Sequence, residues 1–356
     1  MFRVLKTAGL SELAKRLDGV NYVHSDYSDP AKKLSLPFPY IDSAPSDRFT
    51  ISDDGAFTYI GRECFSQVYE AVKAFNYTAG IRHIYLKGTM GFGKSHVLAA
   101  IAVKLLKEDK RVVYIPDCAL LISKPVRVLS SALYLAIRDN EEMMRGISKA
   151  SSVNELTIIA RRFPQGQLYF IIDQMNAFRS CSDWAHASDL ITSLEDVSSN
   201  HFKICSASGN YEDALRDELR ATHGSTIMLY GGFSSVPPPI HIDFSTKADT
   251  DNMQNEMEHW WKAAGLRIRL CPEDQATLAE LTGGSALLLR PLTRIAAPNE
   301  NDAYKAHRDH VFDQFFASEE VCSMLRRIPE FARRMRSGPR KDECVFTIPK
   351  LSRHDM

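Results

Sequence analysis

The 356-residue chain has no excess of charge, because 44 basic residues offset 44 acidic ones. No global field therefore draws it to nucleic acid or to a membrane surface. No apolar run approaches the roughly 20 residues that a membrane-spanning helix needs, which implies no membrane partner. The start, MFRVLKTAGLSELAKRL, lacks the apolar segment of a signal peptide and reads as a short amphipathic helix. The cysteines, at 64, 118, 181, 205, 271, 322 and 344, include no C-x-x-C pair. An odd, scattered set argues for reduced thiols in a cytosolic or nuclear compartment, and against a disulfide framework or a zinc site. Internal repeats are absent, and so is the N-K-x-D motif that reads guanine.

What is present is a phosphate-binding loop. The stretch Gly88, Thr89, Met90, Gly91, Phe92, Gly93, Lys94, Ser95, His96 fits G-x-x-x-x-G-K-[ST]. A short apolar run, His83 to Leu86, enters it and an amphipathic run, Val97 to Leu106, leaves it. A glycine-rich turn can match such a pattern by chance, but the strand and helix on either side supply the context the motif needs. Glycine permits positive φ and close approach, so successive N–H groups can cradle a phosphate, aided by the free N–H groups of the new helix. Lys94 reaches toward the β- and γ-phosphates and the Ser95 hydroxyl ligates Mg2+ in this scheme. The cofactors read from the motif are thus ATP and Mg2+.

A second apolar run, LYFIIDQ at Leu168 to Gln174, is apolar on both faces, as in a buried parallel strand, and ends on Asp173. An aspartate there can simply cap a turn; beside a P-loop it reads as the Walker B carboxylate, a second magnesium ligand. The spacing between Lys94 and Asp173 leaves room for a strand between the two motif strands. Gln174 occupies the place where a catalytic carboxylate usually follows, and an amide orients water but is a poor general base. Hydrolysis is then slow, or is completed by Asn176, a sensor residue or a partner, with Lys94, Asp173 and Gln174 as the catalytic set.

The other strands are expected at Lys110 to Cys118, Phe202 to Ser208 and Ser225 to Tyr230, with helices near Val126 to Arg145, Val153 to Arg162, Trp184 to Val197 and Tyr211 to Leu219. The expected fold is α/β, a P-loop NTPase with a doubly wound parallel five-stranded sheet, carrying ligands at the carboxyl ends of its strands. Ser206, Ser208 and Asn210 end the fourth strand, where a polar sensor or an ordinary turn is expected; Ser208 is the sensor candidate. Around this core the divisions are an N-terminal arm over residues 1–58, the core over 59–245, a helical lid over 246–298 and a helical basic tail over 299–356. The run PPP after Val236 marks the end of the core. Arg290 in the lid can contact phosphate, or be an exposed helix arginine. In the tail, Arg326, Arg327, Arg333, Arg334, Arg336, Arg340 and Lys341 form either a solvated face or a patch for DNA or a protein.

With these residues in view, the chain resembles the NTPase region of Crinkler effectors and the related retrotransposon hot spot proteins. The resemblance rests on LPFPY (Leu36 to Tyr40), SDRF (Ser46 to Phe49), YIGRE (Tyr59 to Glu63), GTMGFGKS, VVYIPDC, FIIDQMNA, YGGFS (Tyr230 to Ser234) and TGGSALLL. It spans about residues 36 to 290. It implies phosphate binding by Gly88 to Ser95, magnesium at Asp173, and secretion followed by action in a host cell, often in the nucleus. Separately, Gly61-Arg62-Glu63 resembles the G-R-E element that helps form the nucleoside pocket in many P-loop ATPases, or is a helix start with an exposed arginine. Two departures matter: the usual LxLFLAK-type translocation header is absent, and only about 60 residues follow the lid, too few for the nuclease domain that many members carry. Asp342, Glu343 and Lys350 are poorly framed for a metal-nuclease site. Arg62, Arg179, Arg216, Arg220 and Arg290 are candidate arginine fingers, and a homo-oligomer that supplies one in trans is an open alternative.

Overall fold

The computed structural model describes residues 2–87, 93–178, 181–207 and 240–243. Helix α1 (Phe2–Asp18) and the short α2 (His24–Ser28) lead into strands β1 (Lys33–Pro37) and β2 (Ala56–Ile60), which pair antiparallel with Leu36 opposite Phe57. Then come α3 (Cys64–Lys73), β3 (His83–Lys87), α4 (Lys94–Lys107), β4 (Arg111–Ile115), α5 (Cys118–Ser123), α6 (Pro125–Ala136), α7 (Glu141–Lys149), α8 (Val153–Ala160), β5 (Leu168–Ile172), α9 (Trp184–Ser198), β6 (Phe202–Ser206) and β7 (Ile240–Asp243). The architecture is α/β. The main sheet is parallel with strand order β4-β5-β6-β3-β7.

The strands form where the sequence is β-branched or aromatic and apolar on both faces. Val112, Val113, Tyr114 and Ile115 of β4 are fully buried, as are Leu168, Phe170 and Ile171 of β5. Each such side chain contributes about 1.5–3 kcal/mol by leaving water, so the sheet is the main source of the core. Strand β4 stops at Ile115 because Pro116 has no N–H to donate and Asp117 caps α5, accepting from Ala119 N–H at 2.7 Å. The helix expected over Val126 to Arg145 is broken in two: Asn140 accepts from Met143 N–H at 3.0 Å and starts α7 as its N-cap.

Strand order decides where the helices go. From β3 the chain crosses to the far edge, β4, and then returns through β5 to β6. Crossovers of one hand that travel in opposite directions lie on opposite faces of a sheet. Accordingly α8 packs on α9, while α4 packs on α1 and α3. The reversal opens a crevice between β3 and β6 at their carboxyl ends.

The sequence marks α4 as amphipathic, yet it is buried almost all round: Val97, Leu98, Ala99, Ala100, Ile101, Ala102 and Val103 are each fully covered. The reason lies outside the helix. Leu13 and Leu17 of α1 and the β1–β2 hairpin cover its outer side, and Lys107 Nζ donates to the Asp18 carbonyl at 3.5 Å. The segment expected to form an N-terminal arm therefore shares one hydrophobic core with the sheet, from Leu13 through Phe57 to Cys205. Arg127 of α6 grips Asp42 through two hydrogen bonds of 2.7 and 2.6 Å, and Phe38 meets Tyr114 of β4 edge to face at 6.1 Å.

The fifth strand is β7, paired parallel to β3 with Ile242 opposite Leu86. It stands where the proline run suggested a boundary. Prolines are tolerated ahead of a strand, and the alternation Ile240, His241, Ile242 supplies the β pattern. The strand expected at Ser225 to Tyr230 lies outside the described residues, as do the lid and the tail. By internal contacts the chain divides into two compact units, Met1–Ala263 and Ala264–Met356.

Candidate functional site

Strand β6 lies between β3, which leads into the P-loop sequence, and β5, which ends at Asp173. The two motif strands are thus not neighbours, as their separation in sequence led one to expect. Their carboxyl ends are nevertheless level, because Leu86 pairs with Ser206 and Cys205 with Ile172. Asp173 stays in register with the sheet: its N–H donates to the Ile115 carbonyl at 3.0 Å and its carbonyl accepts from Cys118 N–H at 3.3 Å.

Gly93 is the N-cap of α4, with φ +81°. A side chain there would be strained by the left-handed backbone, and a Cβ would also sit 2.9 Å from Nη1 of Arg62. Glycine at 93 thus lets the Arg62 guanidinium lie against the start of α4. Arg62 is aimed there by Gly61, whose absent Cβ would fall 2.0 Å from the Asp29 carbonyl oxygen. Lys94 and Ser95 occupy the first turn of α4 and are buried. The free N–H groups of that turn and its positive dipole end favour an anion.

His96 behaves differently from its neighbours. Its ring packs 4.6 Å from that of Phe49 and 6.1 Å from that of Phe57, toward the N-terminal segment. The side chain packs into the core while the residue keeps its place in the first turn of α4. Gly88, Thr89, Met90, Gly91 and Phe92 lie outside the described residues, and so do Ser208 and Arg290.

Around Asp173 the structure assembles a small polar cluster in an otherwise apolar setting. The Ser206 hydroxyl donates to Oδ1 of Asp173, the Gln174 N–H donates to the same oxygen at 2.9 Å, and the Ser95 side chain also hydrogen-bonds the carboxylate. Burial pushes the Asp173 carboxyl above the ordinary carboxylate range, opposed by Arg48 and by these hydrogen bonds. Burial likewise pushes the Cys205 thiol up to about 12 and the Cys118 thiol well up, so neither is a thiolate beside Asp173 at neutral pH.

The remaining oxygen, Asp173 Oδ2, is buried and has no hydrogen-bond partner among the described residues. A buried carboxylate oxygen without a donor is costly unless a cation or an ordered water meets it. With the Ser95 hydroxyl on the same carboxylate, the donor set fits magnesium, a hard cation that keeps most of its waters and takes one or two protein oxygens. Among the described residues there is no cluster of three or more His, Cys, Asp or Glu that would form a self-sufficient metal cage.

Gln174 is partly buried and has φ 63°, one of two non-glycine residues with positive φ among those described. The chain turns sharply there into a 3₁₀ turn, Met175–Phe178. The backbone holds Gln174 in a costly conformation next to the candidate metal ligand, a placement common where geometry matters to function.

No family model and no curated protein matches this sequence. Among solved structures, the chain is similar to a Walker-type ATPase of Pyrococcus abyssi, with 16% identity, a TM-score of 0.46 and coverage of 77% of this chain and 75% of that one. It is similar to the Aeropyrum pernix ORC1 protein in complex with DNA, at 13% identity and TM-score 0.42 over 76% of this chain and 67% of that one. AMPPCP-bound DnaA from Aquifex aeolicus is similar at 14% identity and TM-score 0.33 over 77% and 85%. The fold assignment rests on strand order and register, not on these likenesses.

Two residues of the cluster carry no clear mark in the sequence. Ser206 is one of three polar residues ending its strand, and only its hydrogen bond to Asp173 marks it out; Ser208, the sensor candidate, lies outside the described residues. Arg48 belongs to SDRF and looks like an ordinary loop residue. Its position beside Asp173 arises from the packing of the β1–β2 connection on β4.

Proposed function

We propose that the chain is a P-loop ATPase that binds ATP with Mg2+ at the carboxyl edge of its parallel sheet. The observation that carries this reading is the meeting of Ser95, Asp173 and Ser206 at the crevice between β3 and β6, with Asp173 Oδ2 left open. A chance glycine-rich turn has no reason to bring its serine onto a buried aspartate two strands away.

In this scheme the backbone N–H groups at the start of α4 and the Lys94 ammonium hold the β- and γ-phosphates. Ser95 and Asp173 hold the metal, and Ser206 fixes the carboxylate that does so. Magnesium, when bound, neutralises charge between the phosphates. Arg62, which lies against Gly93, would line the nucleoside side of the site. Gln174 orients the attacking water through its amide without taking its proton, which makes hydrolysis slow. Adenine is preferred to guanine because the chain has no N-K-x-D motif.

The amide at 174 favours a second reading as well: a nucleotide-dependent binding module that scarcely hydrolyses ATP and presents its basic tail to DNA or a host protein. Phosphate release under saturating ATP separates the two. The wider role we propose, a Crinkler-like effector acting in the cytoplasm or nucleus of a host cell, is supported by the motif set from LPFPY to TGGSALLL.

The decisive test is a thermal-shift series with ATP, ADP and GTP, each with and without Mg2+, on the parent chain and on Lys94→Ala. ATP with Mg2+ should stabilise the parent most and leave Lys94→Ala unmoved. Absence of any nucleotide-dependent shift in the parent rejects the reading.

A further inference from the structure

Two buried polar atoms of opposite character stand without a hydrogen-bond partner among the described residues, near the ends of β4 and β5: Nε of Arg48, a donor, and Oδ2 of Asp173, an acceptor. Arg48 comes from the connection between β1 and β2, and its side chain is 18% exposed. One terminal nitrogen lies 3.1 Å from Oδ2 of Asp117 and donates to the Pro116 carbonyl at 3.4 Å. The other lies 3.4 Å from Asp47. Asp117 caps α5, whose first residue, Cys118, donates its N–H to the Asp173 carbonyl. The guanidinium is therefore clamped on the peptide units that β4 extends beside Asp173.

Planar guanidinium with one end clamped has little freedom to turn away. The Pro116 carbonyl that Arg48 holds is one residue beyond the Ile115 carbonyl that accepts the Asp173 N–H at 3.0 Å, which sets the guanidinium at the same strand ends as Asp173. The Asp47 and Asp117 carboxylates account for the terminal nitrogens but leave Nε facing a buried region that needs an acceptor. A purely structural clamp needs no buried donor without an acceptor.

We propose that Arg48 is a positioning residue of the magnesium–nucleotide site, holding the Asp173 carboxylate in place from the segment that precedes the P-loop. The inference rests on the ATP–magnesium reading above and adds to it the residue that orients the metal ligand. It also makes the β1–β2 connection responsive to what Asp173 binds.

The test is calorimetric titration of the full chain with ATP, in Mg2+ and in EDTA, for the parent, Arg48→Gln, Arg48→Lys and Lys94→Ala. In Arg48→Gln the gain in ATP affinity that Mg2+ brings should fall at least fivefold while the affinity in EDTA stays within twofold. Arg48→Lys should restore part of the gain. An undiminished gain in Arg48→Gln, or an equal loss with and without Mg2+, overturns the proposal. Should Arg48→Gln fail to fold, Arg48→Lys decides: a gain reduced two- to threefold supports the proposal and a full gain overturns it. A parent that binds ATP, loses it on Lys94→Ala and is indifferent to Arg48 sinks this inference alone. A parent that binds no ATP, or binds it with no gain from Mg2+, removes it together with the reading it rests on.

Discussion

The Ser206 hydroxyl and the Asp173 carboxylate form a hydrogen bond between the ends of β6 and β5, with both residues fully buried. One carboxylate oxygen is thereby spoken for and the other left open. A hydrogen bond to a charged group is worth about 1.5–3 kcal/mol. Ser206→Ala should lower stability by that order and weaken the affinity gain that Mg2+ gives to ATP. Denaturant unfolding and titration with and without the metal read the two effects; an unchanged midpoint would show that the serine does not hold the carboxylate.

Gly93 joins a backbone requirement to a packing requirement. Gly93→Ala carries about 1–2 kcal/mol of left-handed strain and must displace Arg62, whose Nη1 lies 2.9 Å from where the Cβ would be. The variant should stay folded, melt several degrees lower and lose ATP binding by tenfold or more. Normal affinity in a folded Gly93→Ala chain counts against a cradle at this position.

On the proposed reading, Gln174 is the group expected to limit the chemical step. Gln174→Glu should speed phosphate release at least tenfold at saturating ATP, because a carboxylate accepts the proton that an amide cannot. A rate no higher than the parent's means that another group sets it. Gln174→Gly should separately raise stability by roughly 1 kcal/mol by relieving φ 63°.

His201 offers a prediction that involves no nucleotide. Its ring stacks on Phe170 at 5.9 Å, and burial pulls its pKa from the ordinary 6.5 down to about 4, against the opposing pull of a backbone hydrogen bond to Ala160. The folded chain then holds this imidazole neutral while the unfolded chain protonates it between those values. Its contribution is complete above about 6.5 and is lost as the pH falls toward 4. Melting temperatures at pH 7.5 and 5 should diverge less in His201→Gln than in the parent; equal divergence would mean that other groups carry the acid sensitivity.

Much of the sheet was legible from local pattern. The runs at His83, Arg111, Leu168 and Phe202 are strands because β-branched and aromatic residues fill both faces, and the P-loop and Asp173 sit where such strands must end. Legibility failed where a signal depended on distant chain. Helix α4 looks amphipathic in isolation, and only α1 and the β1–β2 hairpin explain its buried outer face. The packing of the His96 ring on Phe49 likewise has no mark in the local sequence.

Residue order alone determined that this is an α/β chain with a phosphate-loop sequence and an acidic strand end, because hydrophobic period, glycine and proline act within a few residues of themselves. Tertiary structure alone decided that Ser206 and Ser95 meet Asp173, that Arg48 stands behind it and that the N-terminal segment belongs to the core. Those contacts depend on strand order and register, which emerge only when the whole sheet is packed and which no short stretch of sequence encodes.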